Sequence, residues 1–388
     1  MTMEESKKTS SAQSKPETSS KGDLGSCISE TLIDFQGVID SSLGVASQVA
    51  QASAIQVQQL FEEAIKGTGN TMAAIAENPV VKIITKFFGG DWLKVILGQV
   101  NIEEAEGKVK KLRQKYPHET ADQIAHRIMV EKSIQGAGIG LATNFIPPLA
   151  AALFAIDLAT TTRLQAEMVY EIAAAYGLDL NNPERRGEVL GIFGLSLGGS
   201  SALKVGFGVI EVIPGIGAFV GASSNAVMLY ALGYAACRFY ETKLQPDGAK
   251  LTPTEFYKEQ EDYFKKAFKQ EEIMDQILVH TVLASSPEKS WSDVVSELLQ
   301  QGNFNSQTAD TIENHLKNHQ SLESLLQQLH PDFAPSTLMQ CYRIAQADGV
   351  ITAKERKVLE AIAAQFDLNL NEIEENYQTQ LSQQASQL

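Results

Sequence analysis

The chain has 388 residues, and at roughly 150 residues per domain that length favours two or three modules over one. Apolar residues make up 44% and charged residues 20%, so a wholly disordered or fibrous protein is excluded by composition. Thirty-two basic residues against 47 acidic ones leave a net charge of −15; this removes the broad attraction to phosphate backbones on which nucleic-acid affinity rests, and no nucleic-acid partner is expected.

Cys27, Cys237 and Cys341 lie far apart with no CxxC spacing. Neither a disulfide framework nor a zinc ribbon is indicated, and a reducing, cytoplasmic location is expected. Residues 1–26 are Ser, Thr, Lys and Glu with almost nothing to bury and no basic-then-apolar leader, which reads as a disordered tail.

Residues 27–100 are expected to hold an amphipathic helix and connecting helices. Leu32, Phe35, Ile39, Leu43, Ala46, Ala50, Val57, Leu60 and Ala64 fall at three- and four-residue steps, the spacing of one helical face. No charge occurs between Ser41 and Phe61, so the polar face resembles those of helices that sense loosely packed lipid. Packing on the next domain explains the same pattern. Leu43, Leu60 and Phe61 are the candidate apolar contacts. Asn78 and Pro79 break the pattern, and Val80 to Phe88 ends at Gly89 and Gly90.

A basic cluster follows, made of Lys108, Lys110, Lys111, Arg113 and Lys115. It could touch anionic headgroups, or form a solvated face paired with Glu103, Glu104 and Glu106. Thr120 and Gln123 have the spacing of a capping box for a helix running into Met129.

Residues 133–156 are free of charge for 24 positions and residues 212–237 for 26, each long enough for a hydrocarbon core of about 30 Å. Pro147 and Pro148 interrupt the first window; Pro214, Gly215, Ile216 and Gly217 interrupt the second. Proline breaks the helical ladder where lipid offers no replacement partner, so each window reads as a bent hairpin rather than a span. Pro147, Pro148, Pro214, Gly215 and Gly217 are the candidate contacts for membrane or an apolar ligand. Both windows pair a Gly-rich lead with a proline turn and an Ala-rich helix, which hints at a degenerate repeat. Glycines four apart, as at Gly136 and Gly140, or Gly217 and Gly221, suit close helix packing. Arg163 and Glu167 form an i,i+4 pair.

A turn at residues 245–248 marks a boundary, and Thr252 to Glu255 combines a capping box with a proline at the first helical position. Helices are expected over residues 255–280, 291–301, 309–319, 322–329, 336–347, 352–366 and 370–380. No run alternates at period two long enough to build a sheet. The fold class is all-α: a Gly/Ala-rich helical domain with bent apolar hairpins, then a small C-terminal helical bundle.

Two resemblances sharpen this division. Residues of about 108–241 resemble the EcsC family, through Lys110 to Pro117 and the following Ala-Asp-Gln-Ile helix, Pro147-Pro148, Leu164-Gln165, Tyr176-Gly177, Pro183-Glu184-Arg185-Arg186 and Ile213 to Gly217. That resemblance implies a helical protein linked to membranes. Residues of about 270–388 resemble the tellurite-resistance TerB family, through Ala345 to Arg356, Leu359 to Ala363 and Phe366-Asp367-Leu368. It implies a compact helical bundle used in membrane-associated stress complexes, with an acidic face proposed to bind metal. Here residues 291–330 carry no second Ala-Asp-Gly turn. The expected organisation is therefore a tail (1–26), an amphipathic region (27–100), an EcsC-like domain (101–245), a linker helix (246–270) and a TerB-like bundle (271–388).

Asp348 and Glu355 could offer oxygens to a hard cation. Thr352 and Glu355 also make a capping box, with Asp348-Gly349 as its turn, which accounts for both acids without metal. His315 and His319 stand four apart, yet Leu316 occupies the place of the glutamate in the HExxH zinc motif. Gly136 to Gly140 has neither a preceding strand nor a following GK[ST]. No nucleophile motif appears, and no cofactor or enzymatic activity is expected. The expected function is a non-catalytic scaffold, peripherally attached to membrane lipid, that meets a protein partner through its C-terminal bundle. A soluble lipid or apolar-ligand binder is the alternative, and homo-oligomerisation stays open.

Overall fold

The computed structural model describes residues 77, 100–138, 150–197, 217–244, 253–301, 313 and 316–385. Helix accounts for 81% of them and none is in a strand, so the all-α expectation holds. Among the described residues no helix is long and apolar enough to cross a membrane.

Helix α1 (Ile102–Lys115) starts where the Asn101 side chain accepts from the Glu104 N–H at 3.1 Å. Glu103 and Glu104 occupy its first turn, with Arg113 and Lys115 in its last, as the helix dipole favours. Helix α2 (Ala121–Gly138) opens with the expected box: Thr120 N–H donates to Gln123 Oε1 at 2.9 Å and Gln123 N–H to Thr120 Oγ1 at 3.3 Å. It runs nine residues past Met129, so the start of the first charge-free window is its last turns. Helices α3 (Ala150–Ala175), α4 (Glu184–Leu197) and α5 (Gly217–Leu244) follow.

Helix α5 is central, with α2, α3, α4 and the next helix packed around it. Leu229, Tyr230, Ala235, Ala236, Phe239 and Tyr240 are fully buried on it, the all-round apolar pattern of an interior helix. Small residues set the approach of α2. A Cβ on Gly136 would strike the Leu229 methyl, and one on Gly233 would lie 2.6 Å from Met129 Cγ.

Helix α6 (Pro253–Ser285) is 33 residues long and runs without a break through position 270, where the sequence suggested a linker helix ending and a bundle beginning. At 1.5 Å per residue it measures about 50 Å. Phe256 and Ala267 on its first half and Met274, Ile277 and Leu278 on its second belong to one core.

After α7 (Trp291–Gln301) and α8 (Leu322–Gln328), a 3-10 turn (Pro331–Phe333) leads into α9 (Ala334–Ala345), α10 (Ala353–Gln365) and α11 (Leu370–Ala385). Of the helix expected over 309–319, only Glu313, Leu316 and Lys317 are described as helical. Helix α9 is buried almost throughout and packs on α2 as well as on α6, α10 and α11. Tyr230 of α5 lies 4.8 Å from the Phe333 ring, and its hydroxyl donates to the Asp332 carbonyl at 2.5 Å. A single core thus runs from Ala105 to Ile373, across the boundary expected between 245 and 271. A small second cluster joins Val279, Val294 and Leu316, with Trp291 against it.

Candidate functional site

The candidate contacts Leu43, Leu60, Phe61, Pro147, Pro148, Pro214 and Gly215 lie outside the described residues; Gly217 is the first residue of α5.

The basic cluster on α1 divides in two. Lys108 turns inward to Glu131 at 2.8 Å and Glu171 at 2.9 Å, rather than to its neighbours Glu103, Glu104 and Glu106. Arg113 donates to the Ala175 carbonyl at the end of α3, satisfying a helix-terminal acceptor. Lys110, Lys111 and Lys115 remain exposed, with the Lys115 ammonium 5.3 Å from the Tyr116 ring.

Lys108 belongs to a larger network. Lys132 on α2, with a side chain only 4% exposed, meets Glu167 and Glu171 of α3 at 2.9 Å each, and Glu167 also takes Arg163 at 2.8 Å. Burial pushes the Lys132 ammonium down, but Glu171 and Glu167 outweigh it and hold it above the usual lysine value. Burial likewise raises Glu167, and Lys132 and Arg163 overcome it, leaving the carboxyl below its usual range. A second buried set joins Arg185 and Glu188 of α4 to Lys243 of α5; here burial prevails over both cations and the Glu188 carboxyl is raised.

Glu355, 3% exposed, is a cap. Its carboxylate accepts from Thr352 N–H at 2.6 Å and from Ser285 Oγ at 2.5 Å, while Asp348 accepts from Val350 N–H at 2.9 Å. Gly349 holds the turn at φ +86°, a conformation that suits glycine. Both acids proposed as metal ligands are thus spent on backbone and hydroxyl donors. Among the described residues no three His, Cys, Asp or Glu side chains group around a metal position. The His319 ring lies 4.3 Å from the Trp291 ring, tilted by 46°; His315 is outside the described residues.

One concave feature was not anticipated. A groove of about 860 Å³ opens between α2, α5, α6 and the 3-10 turn, within the size range of ligand sites. Met129, Val130, Ile134 and Cys237 contribute apolar surface, and Tyr234 and Tyr263 stack 4.1 Å apart and nearly parallel. Five carboxylates line it, Glu119, Asp122, Glu131, Glu241 and Asp332, against the guanidinium groups of Arg127 and Arg238. Both guanidinium groups are engaged. Arg127 forks onto Glu119 at 2.6 to 3.0 Å and lies 3.6 Å from the Tyr116 ring; Arg238 binds Glu241 at 2.6 Å and Glu259 at 2.8 Å. Tyr176 donates to Glu241 at 3.2 Å and stands 3.5 Å from Asp122.

Burial pushes the Cys237 thiol up to about 12, and the Cys341 thiol likewise to about 12. Neither is a thiolate at neutral pH, so neither is poised as a nucleophile. Burial, first of all, also raises Tyr234 and Tyr263, so the groove keeps neutral hydroxyls; it raises Tyr176, which contacts the groove acids Asp122 and Glu241, in the same way.

No family model, curated protein or solved structure matches the chain. Its fold and groove therefore rest on its own geometry. The groove escaped sequence reading because its walls come from positions as distant as Asp122 and Asp332. One signal was present: Tyr234, Cys237, Arg238 and Glu241 sit at three- and four-residue steps on α5, placing polar groups on one face of an otherwise apolar helix.

Proposed function

We propose that the protein is a non-catalytic helical adaptor, peripherally attached to an anionic membrane surface on the cytoplasmic side and engaging a protein partner through α9 to α11. The resemblances to the EcsC and TerB families belong to this same proposal. One observation carries it: residues 133–137 and 226–237 of the two charge-free windows are used largely in internal packing. Residues 133–138 close on α5 through Gly136, and Ala226 to Cys237 line the core. Their apolar surface is thus used within a water-compatible fold and is not left to face lipid tails. Lys110, Lys111 and Lys115 remain exposed on α1, and near an anionic leaflet each cation contributes about 1 kcal/mol.

The test is cosedimentation of the full chain with vesicles, followed by an alkaline carbonate wash of cell membranes. Binding to phosphatidylserine vesicles that is lost in high salt, together with release by carbonate, supports the reading. Retention until detergent is added, binding of the parent to neutral vesicles as strong as to phosphatidylserine vesicles, or undiminished binding of the Lys110→Glu/Lys111→Glu/Lys115→Glu variant to phosphatidylserine vesicles, would defeat it.

A further inference from the structure

We infer that the groove between α2, α5 and α6 is a binding site for an aliphatic polyamine, independent of membrane attachment. The charge balance points first to a cation. Five carboxylates line the groove, and its two arginines are committed to Glu119, Glu241 and Glu259. Glu131 is held by Lys108, so the lining acids with no lysine or arginine on them among the described residues are Asp122 and Asp332; an ammonium can meet these two directly, whereas an anionic ligand would have to displace the arginine forks.

The remaining chemistry selects the kind of cation. Asp122 is exposed and makes only the long contact to the Tyr176 hydroxyl. Among the described residues the ion-pair partners of the Asp332 carboxylate are histidines, His126 at 3.5 Å and His330 at 3.4 Å. These two acids belong to different elements, with Met129, Val130 and Ile134 also in the lining. A small metal ion gains nothing from methylene-sized apolar surface and asks for oxygens converging on one point, which the described residues do not supply. A chain of ammonium groups separated by methylenes matches both features, placing charges at separated carboxylates and its stem on the apolar side chains. The half-buried Tyr234 and Tyr263 rings add π-faces at which an ammonium is favoured.

The experiment is calorimetric titration of the full chain with spermidine at low ionic strength, repeated with magnesium as a compact cation. One spermidine per chain is expected, with magnesium unable to displace it at equal charge concentration. Asp122→Asn combined with Asp332→Asn should weaken binding roughly tenfold, the loss of two solvent-accessible charge pairs together, with an unchanged thermal midpoint. Tyr234→Phe should bind as the parent does and Tyr234→Leu more weakly. Neutralising Glu374 and Glu375, exposed on α11, should change nothing. Absence of binding, displacement by magnesium, or an equal loss from the α11 variant would overturn the assignment, since the last two would mark diffuse attraction to an acidic protein.

Discussion

Replacing Lys132 by methionine tests the buried ion network between α2 and α3. The ammonium lies 2.9 Å from both Glu167 and Glu171, and the Lys132 and Glu171 side chains are 4% and 5% exposed. Breaking a buried pair by removing one partner costs about 3 to 5 kcal/mol, because the remaining charge stays desolvated. The lower end applies here: Glu171 keeps Lys108 at 2.9 Å and Glu167 keeps Arg163 at 2.8 Å. With a urea slope of about 3 kcal/mol per molar, a loss of about 3 kcal/mol moves the unfolding midpoint down by about 1 M. Lys132→Met/Glu171→Leu removes both ends of the pair, leaves Lys108 on Glu131, and should recover part of the loss. pH gives an independent handle. The Glu167 carboxyl is held below its usual range in the folded chain, so its contribution is present at neutral pH and disappears as pH falls through that lowered value. The stability gap between parent and Lys132→Met should therefore narrow in acid. A double-mutant cycle with coupling near zero, or a gap that widens toward low pH, would refute the reasoning.

Glu355→Gln should cost about 0.5 to 2 kcal/mol in urea unfolding through the weakened cap of α10, and chelator should leave the melting temperature of the parent unchanged. A fragment covering 271–388 should bind a hydrophobic dye and melt without a cooperative transition, because α9 loses α2 and the Tyr230 contact; a sharp melt would show an autonomous bundle. Gly233→Val should destabilise by about 1 to 3 kcal/mol, its Cβ pressing on Met129 Cγ, with Met129→Ala restoring part of the loss in the same denaturation assay.

Features governed by near neighbours were legible along the chain. The Thr120/Gln123 and Thr352/Glu355 boxes form as their spacing indicates, since a cap needs only the few residues around a helix start. The Arg163–Glu167 pair forms for the same reason. The helix expected at 291–301 appears as α7, and that at 352–366 as α10 to within a residue at each end. Lys108 shows where this legibility stops. Its acidic neighbours in sequence suggested local pairing, but Ala105 and Val109 bury their face of α1, and the side chain between them meets acids carried in on α2 and α3.

The sequence by itself determined that the chain is helical, where many of its helices begin, and that Asp348 and Glu355 could be satisfied without metal, because hydrophobic period and capping are properties of a few consecutive residues. Only the tertiary structure decided that α6 joins the two expected domains into one core and that Asp122, Tyr234, Glu241 and Asp332 meet around a groove. The turn at 245–248 looks like a boundary from within. Whether it separates two cores depends on which apolar faces meet across more than a hundred residues, and a one-dimensional pattern records that each face is apolar without recording what covers it.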